Sequence, residues 1–209
     1  DIINKKISDL PILKNDTNNV IEFNDGFSNG IKNEKTRGFW NLLKSEWKKK
    51  AIIISIKGIK LSKKEKLLLS KEKPWGLILF KRNIKSFYQV KNLVSDIKKL
   101  SKNQKFPILI DEEGLSVSRL RNIFNHKFDA SYFGNLYKID QKVAQVLYKK
   151  YLLSLCKNLK KIGININTIP VLDVLRKNTN KIIGKRSFSN NEKIVKKLGE
   201  ITIRQCHSY

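Results

Sequence analysis

Methionine is absent from all 209 residues, including position 1, which is Asp1. Such a chain reads as a piece of a longer product, and the helical pattern before Tyr209 supports that expectation. Cysteine is scarce. Cys156 and Cys206 cannot build a disulfide framework and show no zinc spacing. Both fall in helical pattern and read as small core residues of a reducing compartment, so a cytoplasmic location is expected. No apolar run approaches the roughly 18 residues of a membrane helix, and no charged, apolar and small-residue opening marks a secretory signal. A membrane is therefore not expected as a partner. The two histidines, His126 and His207, have no companions at metal or triad spacing and read as surface or packing residues.

Acidic residues are also few. Eighteen Asp and Glu face 44 Lys and Arg, for a net charge of +26. A charge of that size suits a nucleic-acid binder. Yet only seven of the cations are Arg, and the 37 Lys accompany abundant Asn and Ile, all encoded by AT-rich codons. Base composition accounts for the charge, and clustered Arg with interleaved aromatics is missing, so no nucleic-acid partner is expected.

What is present is globular composition, with 40% apolar and 30% charged residues, in a length that permits a sizeable core. Residues 1–50 stand apart. They are rich in Asn and Asp, carry turn clusters such as Asn24-Asp25-Gly26, and have a net charge of only +3 against +23 for residues 51–209. Within them, Trp40, Leu43 and Trp47 give the stretch from Phe39 to Lys50 an amphipathic helical spacing.

From residue 51 the pattern alternates. Ala51 to Ile56 reads as a buried strand, Ser62 to Glu65 as a capping box that opens a helix to about Lys71, and Gly76 to Phe80 as a second buried strand. Ser86 to Gln89 reads as another capping box, before a helix whose face is Phe87, Val90, Leu93, Val94 and Ile97. Pro107 to Ile110 is a third strand. A long helix spans Asp140 to Lys161, with Val143, Val146, Leu147, Leu152 and Leu155 as core candidates. Ile164 to Val171 is a fourth strand, and Asn190-Asn191-Glu192 leads into a helix bearing Ile194, Val195, Leu198 and Ile201. Strands alternating with helices predict a parallel α/β sheet, closed either as an open doubly wound sheet or as a (β/α)8 barrel. The first turns carry no dinucleotide or nucleotide-triphosphate glycine loop.

In such folds the carboxyl ends of the strands form the site. Three stretches occupy those ends: Phe80 to Asn83; Asp111-Glu112-Glu113-Gly114 followed by Ser118 to Arg121; and Pro170 to Val174 followed by Ile182 to Phe188. Asp111 directly follows a strand, where a carboxylate can hold a pair of sugar hydroxyls, bind a metal or act as an acid/base. Three consecutive acids repel one another, so cations are expected close by, with Arg119 and Arg121 as candidates. Arg186 offers a planar fork that Lys cannot match. Asp173 reads as an ion-pair partner of Arg186, set behind the substrate contacts and orienting that side chain.

Six ordered segments together resemble glycoside hydrolase family 3, on the side of the bacterial β-N-acetylhexosaminidases that recycle cell-wall muropeptides. They are Gly76 to Asn83, Ile110 to Gly114, Val117 to Arg121, Gly163 to Asn167, Pro170 to Val174, and Ile183 to Phe188. The resemblance covers residues 51–209 and implies a (β/α)8 barrel of TIM type, followed here through about four β/α units. It implies substrate-binding roles for Asp111, Arg119 and Arg186 on the hydroxyls of a terminal N-acetylglucosamine, with no metal or organic cofactor. The family's histidine acid/base and aspartate nucleophile are expected beyond Tyr209, so no catalytic residue falls within this chain. The implied activity is retaining hydrolysis of terminal N-acetylglucosamine from muropeptides. Two alternatives remain, a β-glucosidase of the same family and a non-catalytic sugar-binding barrel. The family pattern has Gly and Arg where this chain has Leu115 and Ser116, so a differently bent loop is expected.

Overall fold

Residues 50–208 are described by a computed structural model, and contacts group them within the unit 47–209. The segment 1–50 and the helical spacing from Phe39 therefore fall outside the described residues, except Lys50, which opens a strand instead of closing a helix.

The elements alternate as expected. Strand β1 (Lys50–Ser55) leads to helix α1 (Lys63–Glu72), β2 (Pro74–Leu79), α2 (Phe87–Leu100) and β3 (Ile108–Ile110). Two consecutive helices, α3 (Ala130–Ile139) and α4 (Gln141–Ile162), precede β4 (Ile166–Asn167), and α5 (Glu192–His207) follows. The four strands pair in parallel in the order β1-β2-β3-β4. Sequential parallel neighbours joined by helices are the arrangement from which a barrel closes.

Local signals explain several boundaries. The Ser62 hydroxyl accepts from the Glu65 amide and the Glu65 carboxylate accepts from the Ser62 amide, a reciprocal box at the start of α1. That helix stops at Lys73, which turns left-handed before Pro74. At α2 the second box does not close. Ser86 caps the Gln89 amide, but Gln89 Oε1 accepts from Lys85, and its amide group reaches back to the carbonyls of Ile59 and Asn83.

One core cluster lies between the sheet and its helices. It joins Leu77, Leu79, Ile108 and Ile110 to Val90, Leu93, Val94 and Ile97 of α2 and to Leu155, Leu159 and Ile162 of α4. A second joins Phe133 of α3, Tyr148 and Leu152 of α4, Phe188, and the α5 face of Ile194, Val195, Leu198 and Ile201.

Three expectations fail in detail. β1 is not buried: Ile52 is 50% and Ile53 45% exposed, because β1 pairs only with β2 and has a free edge among the described residues. The buried stripe of α4 is Ala144, Tyr148, Leu152, Leu155, Leu159 and Ile162, while Val143, Val146 and Leu147 face outward. The stripe follows the faces that α2 and α5 cover, and the hydrophobic residues before Tyr148 lie one helical step off it. The fourth strand is laddered only over Ile166–Asn167, because β3 offers partners no further than Ile110. Helix α3 has no counterpart in the sequence reading.

Candidate functional site

The carboxyl ends of β3 and β4 open on a cleft of about 910 Å³. Its walls include Asp111, Glu113, Arg119, Thr168, Asp173 and Arg186, so the four residues singled out from the sequence meet in one place. The stretch after β2 does not join them. Arg82 donates to the Ile56 carbonyl and Ser55 hydroxyl and stacks over Phe80, and buried Asn83 donates to the carbonyls of Ile56 and Gly58. These side chains tie the exit of β1 to the turn after β2.

The three acids after β3 take three different partners. Asp111 Oδ2 accepts from Arg119 Nη2 at 3.0 Å, and its Oδ1 accepts from the Thr168 hydroxyl at 3.1 Å. Both side chains keep solvent exposure on the cleft, and Arg119 Nε has no hydrogen-bond partner among the described residues. An ionised carboxylate has about four acceptor sites, so Asp111 can accept further hydroxyls while bonded to Arg119 and Thr168.

Glu113 grips Arg186 with two parallel bonds, Nε to Oε2 at 2.7 Å and Nη2 to Oε1 at 2.8 Å. The bond to Glu113 raises the Arg186 pKa against burial, helped by the charges of Glu113, Asp173 and Asp111. The expected partnership of Arg186 with Asp173 is thus replaced. Glu113 holds the guanidinium in a plane, and Asp173 stands exposed on the cleft wall with its backbone carbonyl taking the Ser187 hydroxyl. A bidentate carboxylate aligns the fork better than a single exposed acid at the loop could.

Glu112 turns inward and is fully buried. It accepts from the amides of Arg119 and Leu120 at 2.7 and 2.9 Å, from the Ser118 hydroxyl, and from His126 Nε2 at 2.6 Å. Of the two roles expected for His126, surface or packing, the structure shows packing: its side chain is 8% exposed, and Nδ1 lies 2.9 Å from the Tyr151 hydroxyl. Burial, then the charges of Glu112 and Asp129, push the Tyr151 phenol up, so it stays protonated. The partners fit a ring that donates from Nε2 to Glu112 and accepts the Tyr151 proton at Nδ1. This network fixes the backbone from which Arg119 projects. Nothing in local spacing marks it, since Glu112 and His126 meet only through the loop between them.

That loop carries the departures at Leu115 and Ser116. The buried Asp129 carboxylate accepts from the Ser116 amide at 2.7 Å and its hydroxyl at 2.9 Å, and the Leu115 amide donates to the Phe128 carbonyl. Gly114 sits at φ 152°, where a Cβ would lie 2.7 Å from the Phe128 carbonyl oxygen. Across the cleft, the Arg186 loop is braced by Gly134 of α3, where any Cβ would collide with the Phe188 carbonyl. Arg121, the other candidate cation, instead donates to the Leu115 carbonyl. Asn167 joins the two strand ends, accepting from the Glu112 amide and donating to its carbonyl.

Residues 42–208 match the glycosyl hydrolase family 3 N-terminal domain. The chain belongs to this family. Similar curated proteins include the β-hexosaminidases of Xanthomonas campestris pv. campestris, 27% identical, and of Stenotrophomonas maltophilia, 28% identical, each covering 75% of this chain and 46% of the relative. NagZ from Neisseria gonorrhoeae, solved with N-trifluoroacetyl-D-glucosamine, superposes with a TM-score of 0.68 at 27% identity over 76% of this chain and 47% of that one. A β-N-acetylglucosaminidase from Thermotoga maritima, at 20% identity and a TM-score of 0.59, shares the fold. The chain spans about half the length of the curated relatives it matches. The family 3 fold seen here is the α/β barrel architecture, represented by four parallel strands and their helices.

Among the described residues no His, Cys, Asp and Glu cluster is arranged to hold a metal ion, and no helix is long and apolar enough to cross a membrane.

Proposed function

We propose that these residues form the sugar-binding half of a retaining β-N-acetylhexosaminidase, which removes terminal N-acetylglucosamine from muropeptides during cytoplasmic recycling of peptidoglycan. The observation that carries this reading is the pairing across one cleft. Asp111 with Arg119, and Glu113 with Arg186, present a carboxylate and two forks at the carboxyl ends of β3 and β4. β-Hexosaminidase relatives and a neighbour bound to an N-acylglucosamine support the sugar class.

The chemistry follows from the groups present. Asp111 accepts hydrogen bonds from adjacent sugar hydroxyls, Arg119 donates beside it, and Arg186 donates with a direction set by Glu113. Together they fix one pyranose ring so that its anomeric carbon faces groups supplied elsewhere in the barrel. Such positioning lowers the barrier by prepaying orientation entropy. In retaining hydrolysis an attacking group and a proton donor then act on that carbon and the leaving oxygen.

The test is hydrolysis of 4-nitrophenyl N-acetyl-β-glucosaminide against 4-nitrophenyl β-glucoside by the protein at its full natural length. At least about tenfold higher kcat/KM for the N-acetylglucosaminide, the size of one good contact, is expected. Preference for the glucoside would establish the β-glucosidase reading. Binding of N-acetylglucosamine without turnover of either substrate would establish the sugar-binding barrel.

A further inference from the structure

The two thiols expected to be inert core residues face each other across the packed interface of α4 and α5. Cys156 lies in the second half of α4 and Cys206 in the last turn of α5. Their sulfurs share a hydrogen bond at 3.5 Å, although 50 residues separate them in sequence. Both are only partly buried. The separation is held by rigid elements and not by a loop. Tyr148 and Thr202, further toward the N-termini of the same helices, join their hydroxyls at 2.7 Å within the core, and Leu152, Leu198 and Ile201 pack around them. A disulfide bond measures about 2.05 Å, so bond formation needs roughly 1.5 Å of sulfur movement, within reach of side-chain rotation.

The pair is chemically unequal. The bond between the two sulfurs brings the Cys156 thiol down to about 7 against the effect of burial, while the same bond and burial push Cys206 up. Lys157, Lys160 and Lys161 line an open groove at this end of the helices together with Ser208. Low thiolate pKa, partial exposure and a neighbouring second thiol are the attributes of an oxidisable cysteine with a resolving partner.

We propose that Cys156 and Cys206 form a redox-active dithiol site, which a small hydroperoxide converts reversibly to a disulfide that clamps α4 to α5. The Cys156 thiolate attacks the terminal peroxide oxygen. The O–O bond breaks, the departing oxygen takes a proton, and Cys156 becomes a sulfenic acid. The Cys206 sulfur then attacks the Cys156 sulfur, and its proton leaves with the hydroxyl group as water. The sum is two thiols and one hydroperoxide giving one disulfide, one alcohol (or water) and one water. A thiol reductant such as dithiothreitol returns both thiols by exchange. Because α5 directly follows the segment bearing Arg186, the clamp stiffens the support of the cleft wall without touching the cleft. The site does not depend on which sugar the cleft accepts.

The experiment treats the reduced, folded protein at its full natural length with hydrogen peroxide and maps its peptides without reduction. The expected result is one intramolecular cross-link joining the peptides of Cys156 and Cys206, lighter by two hydrogens, erased by dithiothreitol. The oxidised form should have the higher thermal midpoint. In the variant Cys206→Ser, peroxide should leave a Cys156 sulfenic acid that dimedone captures. Free thiols in the folded protein, at peroxide doses that oxidise the urea-unfolded chain, would overturn the proposal. Cross-links only between molecules would overturn it as well.

Discussion

Asp111, Glu112 and Glu113 are neighbours in sequence and have three separate fates. The first meets Arg119 on the cleft, the second is buried with His126, and the third holds Arg186. Alternation of side chains along an extended segment sends the middle acid to the opposite side from the other two. Truncating Asp111 to Ala leaves Arg119 and Thr168 unpaired, and under the proposed function the sugar hydroxyls as well, a loss of roughly 1–3 kcal/mol. If the proposed activity holds, steady-state kinetics on the protein at its full natural length should show kcat/KM lower by about 10- to 100-fold. Asp129→Ala should behave differently, lowering the thermal midpoint more than kcat/KM, because buried Asp129 braces the loop at Ser116 and does not itself line the cleft. Arg186→Lys keeps the charge but loses the double bond to Glu113, and about a tenfold or greater fall in kcat/KM is expected at unchanged stability. Glu112→Ala leaves two amides, a hydroxyl and His126 without their shared acceptor in the core. Urea titration should show a loss of about 3 kcal/mol or more, since each stranded buried donor costs roughly 1–3 kcal/mol.

Elements respond to their caps and their neighbours. At α1, partial burial raises the Glu65 pKa, but bonds from the Lys57 and Ser62 amides and the Ser62 hydroxyl, with the Lys57 charge, outweigh it, and the net shift is downward from 4.5. A depressed carboxylate contributes stability that is present above 4.5 and is lost as pH falls through the lower folded value. Amide exchange in α1 should therefore quicken below about pH 4.5 in the native protein and show no such step in Glu65→Ala. Ser62→Ala should cost about 1 kcal/mol at neutral pH, read from the same amides. The capping signal at Ser62 was legible because every partner lies within three residues. Helix α3 was not, because Asp129 at its start spends its carboxylate on Ser116 and leaves no local cap. The outward turn of Val143, Val146 and Leu147 was equally hidden, since an apolar stripe does not say which neighbours will arrive to cover it.

At the scale of the molecule, the described sheet has two edges, β1 and β4, and a barrel interior is filled by side chains from eight strands. With four strands, Ile52, Ile53 and Trp75 remain exposed beside an unpaired parallel edge, an arrangement that favours association. A polypeptide of these 209 residues alone should elute as aggregates in size-exclusion chromatography and should not hydrolyse chromogenic N-acetylglucosaminides. A version extended by about 150 residues of natural sequence, enough to complete a barrel, should be monodisperse and active. Turnover by the shorter polypeptide at a rate close to that of the extended one would assign catalysis to groups within residues 50–208.

The alternation of strands and helices, the parallel sheet, and the placement of Asp111 at a strand end with Arg119 and Arg186 in the loops that follow were all legible in the sequence. All of these follow from short-range periodicity and from the rule that parallel strands present their carboxyl ends together. Who pairs with whom was left to the folded arrangement. Glu113 and Arg186 lie 73 residues apart, His126 reaches Glu112 by the fold of a loop, and Cys156 and Cys206 approach because two helices share one core. Charge and thiol chemistry at those points depends on distances of a few ångströms, and such distances are set by packing between elements, which no local pattern encodes.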